Sequence, residues 1–165
     1  HVGRGRCEVA PLDLSRPFTG VPGVDPAALN CVLYFATPQI YTKRRDVFSR
    51  EAFDQFAGFY LERFHELCLW LEAAPRTTPA LVYLPSTVFI DERPKGMTEY
   101  AMVKAAAEVL AADLNRSLER VRIVHTRLPR MATDQTASIL GVSTASNLDV
   151  LLGVVRQMSS AISSL

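Results

Sequence analysis

Three short apolar runs, Leu29 to Ala36, Ala80 to Leu84 and Val121 to Leu128, constrain this chain more than any other feature. The first two are almost unbroken rather than alternating, the pattern of a strand buried on both faces in a parallel sheet, and the third, which also carries Arg122, His125, Thr126 and Arg127, reads as a third central strand. Parallel strands need long crossovers, usually helical. Between the first two runs, Ser49 can cap a long helix with Glu51 in its first turn. Phe53, Phe56, Tyr60, Phe64, Leu67 and Leu71 then recur at three- and four-residue steps up to Ala74-Pro75. Between the second and third runs, a helix starting near Thr98 carries Val103, Ala107, Leu110 and Leu114, and its small residues Ala101, Ala105 and Ala112 admit a close neighbour. Ser146 with Asp149 has the form of a capping box opening a last helix through Leu148, Leu151, Val155 and Met158. One more strand is expected at Glu8 to Leu14, ahead of a loop rich in proline and glycine.

This order predicts an α/β fold, a doubly wound, Rossmann-like parallel sheet with helices on both faces and right-handed crossovers. Residues 1–165 read as one domain with a real core, since 48% of the residues are hydrophobic. The chain opens on His1 rather than methionine, and a sheet of this kind would have further N-terminal strands, so a segment of a larger polypeptide is expected. Ligands of such sheets lie beyond the carboxyl ends of the strands. Chemistry is therefore expected at Ala36-Thr37-Pro38, Pro85-Ser86-Thr87 and Pro129-Arg130.

Other functions are argued against by charge and spacing. Lys plus Arg number 18 against 17 Asp plus Glu, so a net charge of +1 gives no general attraction to nucleic acid or anionic membrane. No run approaches the roughly 20 apolar residues of a membrane span, and a cytoplasmic location is expected. Cys7, Cys31 and Cys68 are odd in number and widely spaced, which predicts buried thiols in a reducing compartment rather than disulfides or a zinc site. His65 and His125 lack ligand spacing, so no metal is expected. Lys43-Arg44-Arg45 reads as a solvated loop that could meet an acidic carrier or a phosphate-bearing substrate.

Tyr100-Ala-Met-Val-Lys104 places a phenol and an ammonium one helical turn apart on one face. A fixed positive charge beside a phenol favours the phenolate and lowers its pKa from about 10. Tyr100 could then pass a proton to a carbonyl oxygen, with a hydroxyl of Ser86 or Thr87 holding that oxygen. By itself the pair also fits a packed tyrosine beside a solvated lysine. Its position thirteen residues after Thr87 and fourteen after Ser86, at the opening of the next helix, favours the chemical reading.

Leu-Pro-Ser86-Thr87, a loop, Tyr100-x-x-x-Lys104 and then Arg122-Ile-Val-His-Thr-Arg-Leu-Pro129 resemble the short-chain dehydrogenase/reductases from about Asp13 to Thr133. The resemblance implies an NAD(P)H-dependent ketoreductase whose catalytic residues are Ser86, Tyr100 and Lys104, with Thr87 competing for the role of Ser86. NADP or NAD would meet Asp13 at adenine, Ala36 in the turn after a strand, Lys104 at ribose, and Pro129 and Thr133 near nicotinamide. The resemblance implies a small or carrier-bound carbonyl substrate, such as an acyl chain in a multidomain synthase, and other domains of the same polypeptide as partners. The resemblance also implies a homodimer through the helices starting near Ser49 and Thr98. Tyr60 stands where the family has a catalytic asparagine, and Arg130 where it has glycine. No glycine-rich turn lies between a strand and a helix, and that turn is the strongest contact to a dinucleotide pyrophosphate. A scaffold or interaction domain that has lost nucleotide binding is the rival reading.

Overall fold

The computed structural model describes residues 5, 7–40, 48–130 and 147–162. Strands β1 (Cys31–Leu33), β2 (Ala80–Thr87) and β3 (Val121–Leu128) form one sheet in the order β1-β2-β3. Both pairings are parallel, with Leu33 opposite Tyr83 and Thr87 opposite Leu128. All three buried runs therefore become neighbouring strands. β1 is shorter than its apolar run, although the Leu81 N–H donates to the Asn30 carbonyl at 3.0 Å and the Tyr34 N–H to the Tyr83 carbonyl at 2.9 Å. The alternation of that ladder turns Pro85 towards β1, and proline has no N–H with which to continue it. β2 itself runs on beyond Leu84, so Ser86 and Thr87 are its last two residues.

Helix α1 (Arg50–Ala57) passes through a π-helical stretch, Gly58–Arg63, into α2 (Phe64–Glu72). Ser49 caps α1, its hydroxyl accepting the Ala52 N–H at 3.3 Å. A short α3 (Phe89–Glu92) follows β2, α4 (Thr98–Ser117) leads into β3, and α5 (Asn147–Ile162) comes last. Ala80, Val82 and Leu84 face a core with Phe64, Cys68 and Leu71 of α2 and Val103, Ala107 and Ala111 of α4. Leu81 and Tyr83 point the other way and meet Val154 and Met158 of α5. Helices thus cover both faces, which is the doubly wound arrangement. Each fully buried large apolar side chain here contributes roughly 1.5–3 kcal/mol.

Two expectations fail. Glu8 to Leu14 forms no strand, and Val9 is 94% exposed. A strand needs a neighbour for its backbone groups, and among the described residues none lies beside it. Cys7 and Cys31 are exposed, because one precedes the folded core and the other sits on the edge strand β1. Cys68 is buried as expected, and burial pushes its thiol up to about 12. Lys43, Arg44, Arg45, Thr133 and Ser146 lie outside the described residues. Among the described residues no helix is long and apolar enough to cross a membrane.

Candidate functional site

A cavity of about 230 Å³ opens beyond the carboxyl ends of the three strands. Ala36 and Thr37 wall it after β1, Ser86 and Thr87 at the end of β2, and Pro129 and Arg130 after β3. α4 contributes Tyr100 and Lys104, while Tyr60 enters from the π-helical stretch. Widened helical turns of that kind are frequent at functional sites. Phe89 of α3 and Met97 close the apolar side.

Tyr100 is enclosed by rings, with edge-on contacts to Phe56 at 5.6 Å, Tyr60 at 6.0 Å and Phe89 at 6.2 Å between centroids. This burial pushes its phenol up to about 12, opposed by the nearby Thr87 hydroxyl. Lys104 is 3% exposed. Its Nζ donates to the Pro85 carbonyl at 2.7 Å, the carbonyl left over where the β1 ladder stops. Nζ also lies 3.7 Å from the centre of the Tyr60 ring and 5.8 Å from that of Tyr100. The carbonyl and the ring face favour the ammonium, but desolvation outweighs them and pushes Lys104 down to about 7. The expected depression of the Tyr100 pKa by a fixed positive charge is therefore corrected. Enclosure drives both groups towards their neutral forms.

Tyr60 is fixed in turn by a hydrogen bond between its hydroxyl and that of Thr37, and burial raises its pKa far beyond the phenol range. The Tyr34 hydroxyl donates to the Phe59 carbonyl at 2.7 Å, which ties the end of β1 to the same π-helical stretch.

The two hydroxyls at the end of β2 part company. That of Thr87 accepts the Phe89 N–H at 3.2 Å on the cavity wall it shares with Tyr100, whereas that of Ser86 donates to Glu108, one turn beyond Lys104 on α4. Glu108 also accepts from the Arg127 guanidinium at 2.8 and 2.7 Å, and this pairing holds its carboxyl below the usual range. Arg127 reaches on to Asp91 of α3 at 2.9 and 2.7 Å. Spacing alone singled out neither Tyr60 as the cover over Lys104 nor Glu108 as the partner of Ser86. For Glu108 a signal exists, a carboxylate four residues after Lys104.

Ser86, Tyr100, Lys104, Ala36 and Pro129 thus wall one cavity. Asp13 does not wall it. Its exposed carboxylate accepts the Ser15 hydroxyl at 2.6 Å and the Ser15 N–H at 3.0 Å, bonds that lower its pKa. Among the described residues no glycine-lined turn from strand to helix offers backbone to a dinucleotide pyrophosphate. Among the described residues no group of His, Cys, Asp and Glu could hold a metal ion.

No protein-family model and no curated protein matches the chain. Among solved structures it is similar to the MalC reductase/Diels-Alderase from Malbranchea aurantiaca, with a TM-score of 0.53 and 13% sequence identity. The match covers 77% of this chain and 47% of that one, so this chain spans less than half the length of that protein. At this identity the likeness establishes a shared α/β fold.

Proposed function

We propose that this cavity is the carbonyl site of a reductase-type oxidoreductase of the short-chain dehydrogenase/reductase kind, acting on a small ketone or aldehyde with an apolar body. One observation carries the reading. Tyr100 from α4 and Thr87 from the end of β2, each carrying a hydroxyl, line the same apolar cavity beyond the ends of the strands. A carbonyl oxygen has two lone pairs and accepts from both. With its pKa pushed up to about 12, Tyr100 stays protonated at neutral pH and is the proton donor to that oxygen as negative charge develops. Thr87 is the clamp, in preference to Ser86, whose hydroxyl is committed to Glu108. Lys104 lies one turn along the same wall, its Nζ 5.8 Å from the centre of the Tyr100 ring. NADPH or NADH is the hydride source that the family resemblance implies, and a reductase as structural neighbour supports the oxidoreductase class.

The test is nicotinamide absorbance during reduction of a panel of small ketones and aldehydes. Tyr100→Phe removes only the transferable proton, so turnover should fall roughly 10²–10⁴-fold while ligand binding persists. Absence of NADPH or NADH binding, with no activity lost in Tyr100→Phe, replaces this reading with the scaffold.

A further inference from the structure

We propose that Lys104 is an amine nucleophile that condenses with small aldehydes or ketones in this cavity to form an imine, with Tyr100 moving the proton. The inference shares with the preceding reading the cavity, a carbonyl ligand and Tyr100 as the proton carrier, but not the hydride step. It requires no dinucleotide, and the described residues offer none a cradle.

Four observations meet at one atom. Lys104 is 3% exposed yet walls a cavity of about 230 Å³, larger than the roughly 150 Å³ in which benzene is known to sit. Among the described residues no carboxylate is paired with it, and its one hydrogen bond goes to the Pro85 carbonyl. A neutral amine still donates one N–H to that carbonyl and keeps its lone pair for attack, whereas an ion pair would lock the nitrogen as ammonium. Burial supplies the neutral form near pH 7, as desolvation does for other nucleophilic lysines. The Tyr100 hydroxyl, one turn away on the same wall, is a protonated acid at that pH.

The lysine nitrogen adds to the carbonyl carbon, forming a C–N bond as the C=O π pair moves to oxygen. A proton passes from nitrogen to that oxygen, giving the carbinolamine. Tyr100 protonates the hydroxyl, which leaves as water while the nitrogen lone pair forms C=N. The nitrogen proton returns to Tyr100. No oxidant or reductant is consumed.

The chain has two other lysines, Lys43 and Lys95, and exposed Lys95 is an internal control. The experiment treats the full chain with benzaldehyde and sodium cyanoborohydride at neutral pH and locates the benzyl adduct by peptide mass spectrometry. Exposed Lys95 lacks the enclosure that favours a neutral amine at Lys104, so labelling of Lys104 should exceed that of Lys95 by at least ~10-fold. Tyr100→Phe should slow labelling at Lys104 and leave Lys95 unchanged. Lys104→Met should abolish the adduct with the far-ultraviolet dichroism retained; if that variant does not fold, the wild-type peptide map still decides. Equal labelling of Lys95, or no adduct on Lys104, overturns the proposal. Trapping without any NADPH or NADH consumption would sink the reductase reading and leave this one standing, and hydride turnover without trapping would do the reverse.

Discussion

Ser86 and Thr87 are adjacent on β2, and Lys104 and Glu108 are one turn apart on α4, yet the two polar clusters they build have opposite electrostatics. Thr87, Tyr100 and Lys104 sit among rings in the cavity wall, where burial favours a neutral phenol and a neutral amine. Glu108, Arg127 and Asp91 form ion pairs that reach solvent, joined by the buried Ser86 hydroxyl, with the Glu108 carboxyl held below its ordinary range and the Arg127 guanidinium above it. One residue along the strand and one turn along the helix separate enclosed groups in the cavity wall from groups that fasten α3 to the sheet. Enclosure by Tyr60, Phe56 and Phe89, rather than residue type, makes the difference.

The largest expected effect breaks the enclosed cluster. Lys104 titrates near 10.5 when unfolded and at about 7 when folded, so between those values the unfolded chain binds more protons and stability rises with pH. Each pH unit in that window adds about 1.4 kcal/mol, and the full penalty is present below the folded value. Urea unfolding between neutrality and mildly alkaline pH, below the range where tyrosines ionise, should show this slope. Lys104→Met should flatten it and raise stability most at the acidic end. Equal slopes in the two proteins would mean that the amine is solvated and the enclosure argument wrong.

The next effect sharpens the boundary between the clusters. If the carbonyl oxygen is held by the Thr87 hydroxyl on the cavity wall beside Tyr100, Thr87→Val should lower turnover roughly 10²-fold or more, the loss typical of a missing oxyanion donor. Ser86→Ala should change turnover little, because its hydroxyl faces Glu108. Steady-state rates on one carbonyl substrate decide it, and a reversed order would return the clamp to Ser86.

The fold was legible where periodicity is strong: three apolar runs became three parallel strands, and the helix starts at Ser49 and Thr98 agree with the structure. The run from Glu8 to Leu14 misled because strand formation depends on a partner, which composition does not reveal. The spacing of Tyr100 and Lys104 brought both into the cavity, together with Ser86, Ala36 and Pro129. The choice between Ser86 and Thr87 was not legible, since it depends on how the last residues of β2 turn. Nor was the direction of the Tyr100 and Lys104 shifts. It follows from rings carried by α1, the π-helical stretch and α3, tens of residues away or across a loop, and no local motif encodes that enclosure.

The smallest effect tests the exposed cluster. Glu108→Gln keeps the shape of the side chain and its acceptor oxygen for Ser86 but removes the charge paired with Arg127. Because Arg127 is 39% exposed and Asp91 remains beside it, solvent and the second carboxylate compensate, and the loss of stability should stay within about 1 kcal/mol. Raising the salt concentration should shrink the difference further, because screening weakens the wild-type pair as well. The pH slope assigned to Lys104 should persist in this variant, since Lys104 hydrogen-bonds to Pro85 rather than to Glu108. Urea unfolding of both proteins at low and high salt, at neutral and mildly alkaline pH, measures all three. A loss of several kcal/mol, or a vanished pH slope, would show that the two clusters act as one unit and that the boundary between Ser86 and Thr87 has no energetic meaning.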